Sequence, residues 1–150
     1  RADALMADIR IIADSAALHA SFIKRGLSNC DIGVSWLLPR MIGFSRAAQI
    51  LLTGRTIDAR EAERIGIASS VESGDALLGA ALGTAEEIAQ NTPFGVWMTK
   101  EVMWSNLEAP SLRAAIDREN RTQILAAMTK DHREAVKSFL EKRPPEYLNH

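Results

Sequence analysis

The sequence holds little that metal or redox chemistry could use. It has one cysteine, Cys30, so an intrachain disulfide is impossible, which fits a reducing cytosol. No histidine stands close enough in the chain to activate that thiol, and Cys30 reads as a small buried side chain rather than a nucleophile. Histidine is scarce and no pair sits at metal-ligand spacing, so a zinc or iron site is not expected. Charge of one sign is also lacking. The net charge of −1 leaves no electrostatic footprint for nucleic acid or an anionic membrane. No apolar run approaches the roughly 18 to 20 residues of a membrane span, and no signal-peptide pattern is seen. The chain opens at Arg1-Ala2-Asp3 without an initiator Met, which reads as a truncated chain. A cytoplasmic protein with no metal, no nucleic-acid partner and no membrane partner is expected.

What is present is ordinary for a soluble domain. Apolar residues make up 47% and charged residues 25% of 150 residues, enough chain for one hydrophobic core. No repeat, low-complexity tract or Ser/Gly linker divides it. Two strands are expected near the start: the β-branched run Ile9–Ala13, and Leu18–Phe22 with its rough alternation. A loop from Gly26 to Gly33 follows.

Helices dominate thereafter. Val34–Met41 contains Pro39, which should end or kink it. Ser45 is a candidate cap for a helix to Leu52, with Gly54 at its C-terminal end. Asp58 with Glu61 forms a capping-box-like pair before Ala59–Ile65, and Ile67–Val71 reads as extended. Four more helices are expected: Asp75–Gln90, one opened by Thr92-Pro93, one from Ser111 to Met128, and one that a second pair, Asp131 with Glu134, opens and Pro144-Pro145 ends. Gly79 and Gly83 suggest close helix packing.

Several segments in order resemble one family. They are Ala7–Asp14, the loop Gly26–Gly33, Leu38-Pro39-Arg40-Met41-Ile42-Gly43, Leu51-Leu52-Thr53-Gly54-Arg55, Ala62–Ala68, and Phe139-Leu140-Glu141-Lys142-Arg143-Pro144-Pro145. Each is weak alone, but their succession is similar to the enoyl-CoA hydratase/isomerase (crotonase) family, and the likeness is read as its C-terminal portion only. The resemblance implies an α/β fold: the remnant of a ClpP/crotonase-like β-β-α spiral, followed by a C-terminal helical trimerisation region, mostly helical in this chain. Residues 1–72 would hold the last part of the spiral core with the active-site loop 26–33, and residues 73–150 the helical oligomerisation region. It implies an acyl-CoA substrate, no cofactor beyond coenzyme A as part of that substrate, and a homotrimer or hexamer.

Hydration of an enoyl thioester needs a general acid/base and donors that hold the enolate oxygen. By the resemblance, the family's two glutamate positions fall on Ala2 and Phe22, which cannot transfer a proton. One oxyanion-hole amide would lie just before Arg1 and the other farther upstream. The resemblance leaves Asp31 as the candidate catalytic carboxylate, able to shuttle a proton between α and γ carbons; the competing reading is that Asp31 caps the helix after Gly33. Phe22, Ile32 and Trp36 are candidate acyl-contacting residues, with core packing the alternative for Phe22 and Trp36. Lys142 aligns with a lysine that holds the nucleotide end of CoA, or else complements a helix dipole. His19 reads as a solvated or core histidine. The expected function is isomerase-like or divergent chemistry on acyl-CoA thioesters, through enolate stabilisation and carboxylate proton transfer, rather than classical hydration. The alternatives are a catalytically silent acyl-CoA-binding or scaffold relative, or a truncated oligomerisation fragment, and the chain alone is expected to be inactive.

Overall fold

The computed structural model describes residues 2–148. The chain packs as two compact units, Arg1–Gly83 and Thr84–His150.

In the first unit a 3-10 turn (Ala2–Met6) leads to β1 (Ile11–Ala13) and β2 (Ala17–His19), then a second 3-10 turn (Phe22–Arg25). α1 (Val34–Ile42), α2 (Phe44–Thr53), β3 (Thr56–Asp58), α3 (Ala59–Arg64) and β4 (Ser70–Glu72) follow. β1 pairs parallel with β4, Ile12 opposite Val71. β2 pairs antiparallel with β3, Leu18 opposite Ile57. Val34, Leu38 and Ile42 recur every four residues, so α1 presents one apolar stripe. That stripe packs with Ala47 and Ile50 of α2, Ile57 of β3, and Ala62, Ile65, Ile67 and Ala68 around α3, all buried. Each large side chain in this set contributes about 1.5–3 kcal/mol by leaving water.

Both expected strands are shorter than the sequence suggests. The second stops at His19 because Ser21 turns to φ −95°, ψ −2° and Phe22 opens a 3-10 turn. The extended segment expected at 67–71 becomes β4 at 70–72, because the N–H groups of Ile67 and Ala68 turn back to the Ala62 carbonyl at 2.8 and 3.1 Å. Pro39 does not end α1, which runs on to Ile42; the proline forfeits only the donor that the Ser35 carbonyl would have taken. The cap of α2 is Gly43 and not Ser45. Asp58 caps α3, accepting the Glu61 N–H at 2.7 Å. Glu61 does not reach back to close a box; its carboxylate grips Arg55 through two 2.7 Å bonds.

α4 (Leu77–Ala89) carries the chain from the first unit into the second. There α5 (Pro93–Asn106), α6 (Leu112–Ala127) and α7 (Lys130–Glu141) form a helical bundle, α5 against α6 and α6 against α7. Thr92 and Ser111 cap as the sequence predicts, accepting the Gly95 and Ala114 N–H groups at 3.2 and 3.1 Å. The cap of α7 is Thr129, which accepts the His132 N–H at 3.1 Å. The expected Asp131/Glu134 box is therefore absent. Asp131 is buried and accepts the Leu148 N–H at 2.8 Å, while Glu134 pairs with Arg143 at 2.5 and 3.1 Å.

Two predictions follow from these contacts. Gly54 closes α2 at φ 61°, and an added Cβ would lie 2.7 Å from Ile23 Cγ2 and 2.9 Å from the Ala20 oxygen. Gly54→Ala is expected to cost about 2–4 kcal/mol from left-handed strain plus overpacking, read as the loss of unfolding free energy in a urea titration; a loss under about 1 kcal/mol would contradict this.

Arg143, and next the Glu146 N–H, hold the Glu134 carboxyl down to about 2 from its usual 4.5. A carboxyl depressed in the folded state stabilises above its unfolded pKa, and that contribution fades as pH falls toward the folded value. Glu134→Gln should lower the melting temperature at neutral pH and flatten its decline between roughly pH 5 and 2. Parallel melting curves for the two proteins across that window would refute the assignment.

Candidate functional site

The first unit carries a largely apolar cavity of about 170 Å³, partly open to solvent and walled by Leu5, Leu18, Phe22, Leu38, Ile50 and Leu51 among others. Four polar residues belong to its lining: Arg10, His19, Ser21 and Asn29. Arg10 donates from Nε to the Ile67 carbonyl and from Nη1 to the Ala7 carbonyl. Burial pushes its guanidinium pKa down, partly offset by nearby Asp8. His19 Nδ1 shares a 3.0 Å hydrogen bond with Thr56 Oγ1 across the β2–β3 pair.

Asn29 organises the wall. It is 7% exposed. Its Nδ2 donates to the Ala20 carbonyl at 2.9 Å and to the Leu51 carbonyl at 2.6 Å, while Oδ1 accepts the Ile23 N–H at 3.2 Å. One carboxamide thus ties the loop 26–33 to the turn after β2 and to the end of α2. A carboxamide offers two donors and one acceptor group, and all are used. Sequence reasoning passed over this residue: an Asn in a loop between two glycines reads as turn chemistry, and nothing local marks its three distant partners.

The residues expected to carry chemistry fall in three places. Phe22 lines the cavity, from the start of a 3-10 turn rather than a strand end. The side chain of Ala2 lies outside the described residues. Asp31 is exposed and does not line the cavity, although Asn29 and Val34 on either side of it do. It does not cap α1: Gly33 holds that position with no side-chain bond, and Asp31 contributes only its backbone carbonyl, to the Val34 N–H at 3.0 Å. Its carboxylate has no hydrogen bond or ion pair among the described residues. Ile32 is 57% exposed and sits at φ 47°, a conformation that costs a β-branched residue strain. Trp36 is exposed, with the Arg40 guanidinium 3.2 Å above its ring centre. This is a cation–π stack on the outer face of α1 rather than core packing. Cys30 is exposed, correcting the expectation of a buried thiol: Asn29 turns inward and its neighbour outward. Lys142 belongs to the second unit, at the end of α7.

Comparison with known proteins adds a lineage. The family profile described as enoyl-CoA hydratase/isomerase matches residues 3–150. A Mycobacterium tuberculosis protein named "Probable enoyl-CoA hydratase EchA12" is 41% identical over 147 residues, covering 97% of this chain and 52% of that protein. The 1,2-epoxyphenylacetyl-CoA isomerase of Escherichia coli is 35% identical over 144 residues, covering 96% of this chain and 54% of the relative. The crystal structure of an enoyl-CoA hydratase from Bacillus anthracis superposes with a TM-score of 0.93 at 33% identity, over 97% of this chain and 56% of that one. The match corrects the reading of a C-terminal portion only: it runs through nearly the whole chain, and neither the label of a remnant nor that of an inactive fragment rests on it. The chain spans about half the length of the curated relatives it matches. The mixed β-β-α first unit and the helical second unit match the crotonase fold.

Removing the Asn29 side chain leaves the Ile23 N–H and the Ala20 and Leu51 carbonyls without their partner. Asn29→Ala should cost about 2–4 kcal/mol in chemical denaturation. Asn29→Asp should be at least as damaging at neutral pH, because a carboxylate would face two carbonyl oxygens, and should recover in part on acidification. A variant as stable as the parent would show that the clamp is ornamental.

Proposed function

The chain belongs to the enoyl-CoA hydratase/isomerase family, and on that premise we propose that it acts on acyl-CoA thioesters by isomerase-like chemistry rather than classical hydration. The observation that carries this reading is the Asp31 carboxylate: it is exposed and unpaired among the described residues, on a loop whose flanking residues Asn29 and Val34 line an apolar cavity. Ala2 and Phe22, which stand where the resemblance places two glutamates, supply no proton-transfer group. One carboxylate suffices for moving a double bond. Asp31 takes a proton from one carbon of the acyl chain, the electron pair delocalises onto the thioester oxygen as an enolate, and the same proton returns at another carbon. Donors aimed at that oxygen supply the electrostatic stabilisation. Phe22 on the cavity wall, with Ile32 and Trp36 beside the loop, would contact the acyl group, as apolar side chains do in most ligand sites.

Lys142 would meet the phosphate-bearing nucleotide end of CoA as a point charge. The protein needs no separate cofactor in this reading. A homotrimer or hexamer is supported by the second unit, whose helices expose Met103, Leu112, Ile124 and Phe139; apolar surface of this kind is commonly covered by a partner subunit. A cytoplasmic site of action is part of this proposal; among the described residues no helix is long and apolar enough to cross a membrane.

A silent acyl-CoA binder is the second reading, favoured by the position of Asp31 outside the cavity lining. Asp31→Asn separates the two. Loss of double-bond migration by about a hundred- to ten-thousand-fold with acyl-CoA binding retained supports the enzyme. Binding without turnover in the parent protein supports the silent relative.

A further inference from the structure

Lys142 holds a backbone conformation that lysine seldom takes. It closes α7 at φ 53°, ψ 43°, the left-handed position that glycine commonly fills at helix ends. Its N–H donates to the Phe139 carbonyl at 3.3 Å, and the Arg143 N–H donates to the Ser138 carbonyl at 3.1 Å. These are the paired bonds of a Schellman turn. Lys142 stands exposed at the apex, and its ammonium makes no hydrogen bond or ion pair among the described residues.

The chain leaving that apex is strapped back along α7. Arg143 reaches Glu134 with two guanidinium nitrogens and places Nε 2.7 Å from Glu141 Oε2. Glu134 Oε1 also accepts the Glu146 N–H at 3.1 Å. One turn nearer the helix start, buried Asp131 accepts the Leu148 N–H at 2.8 Å. Two carboxylates three residues apart therefore hold the returning strand at two points, with Lys142 at the bend between helix and strap.

We infer that Glu134 is a positioning residue: through Arg143 it keeps Lys142 in its left-handed turn and so presents the lysine to the phosphates of coenzyme A. This rests on the proposed role of Lys142 as the nucleotide contact. Helix ends fray unless tied down, and a lysine on a frayed end must be ordered at the moment of binding, which weakens affinity. Glu134 itself need never touch the ligand.

The test compares two ligands of the full chain by titration calorimetry: crotonyl-CoA, and crotonyl-pantetheine, which lacks the nucleotide and its phosphates. Glu134→Gln and Arg143→Gln should each weaken crotonyl-CoA binding roughly three- to tenfold. Neither should alter crotonyl-pantetheine binding, and neither should add to the loss caused by Lys142→Met in the double variant. Arg143→Gln serves independently if Glu134→Gln fails to fold, because it leaves the Glu134 bond to the Glu146 N–H in place. Equal weakening toward both ligands, or losses that add to that of Lys142→Met, would overturn the positioning role in favour of a general structural one. Weakening by Lys142→Met alone, with both Gln variants unaffected, would overturn the inference and leave the lysine's own role standing. No effect of Lys142→Met on crotonyl-CoA would remove that role and the inference with it.

Discussion

Three backbone groups converge on one buried carboxamide, and the geometry of the first unit depends on it. Asn29 satisfies the Ala20 and Leu51 carbonyls and the Ile23 N–H, groups from two segments that no strand or helix ladder would join. Leaving such groups dry and unpaired costs more than any single neutral hydrogen bond returns. With Asn29 in place, the chain ends β2 at His19, turns at Phe22 and lays that ring on the cavity wall. Gly54 completes the arrangement from the other side, where the close approach of Ile23 and Ala20 leaves no room for a Cβ. The same inward turn of Asn29 puts Cys30 and Asp31 outside. The cavity wall and the exposed loop that carries the proposed proton carrier are thus two faces of one local constraint.

The second unit solves a different problem. Its helices are short of apolar burial: among the described residues of α5, α6 and α7, the buried side chains are Asp131 and Ser138. Polar contacts take over locally. Arg118 of α6 donates to the Ser105 carbonyl and Asn106 Oδ1 of α5 at 2.9 and 3.2 Å. The Arg143–Glu134 pair fastens the strap to α7. Pairs with this much solvent access stabilise modestly as a rule, so their value lies in geometry: they choose one path for the chain after Lys142 out of many that a frayed end could sample.

Local signals were legible where the physics is local. Thr92-Pro93 and Ser111 cap their helices as their residue types require, because a cap needs only the next three residues. The buried face of α1, Val34, Leu38 and Ile42 at four-residue spacing, is a pattern of the same local kind, set by the helical period. The ordered motifs from Ala7 to Pro145 pointed to the family. Reach-back pairs were misread. Glu61 and Glu134 each stand three residues after an aspartate, as a box demands, but both are claimed by arginines: Arg55 six residues before Glu61, and Arg143 nine residues after Glu134.

Side-chain direction was settled by tertiary structure. Asn29, Cys30 and Asp31 are adjacent and similar in size, and nothing in their order says which turns inward; three carbonyl and amide groups from elsewhere in the fold decide it. Composition and motif order determined the family, the helical bias and most helix starts, since each depends on contacts within a few residues. Which side chains line the cavity, which stand in solvent and how Lys142 is held depend on partners 6 to 22 residues away, brought together only when the backbone closes.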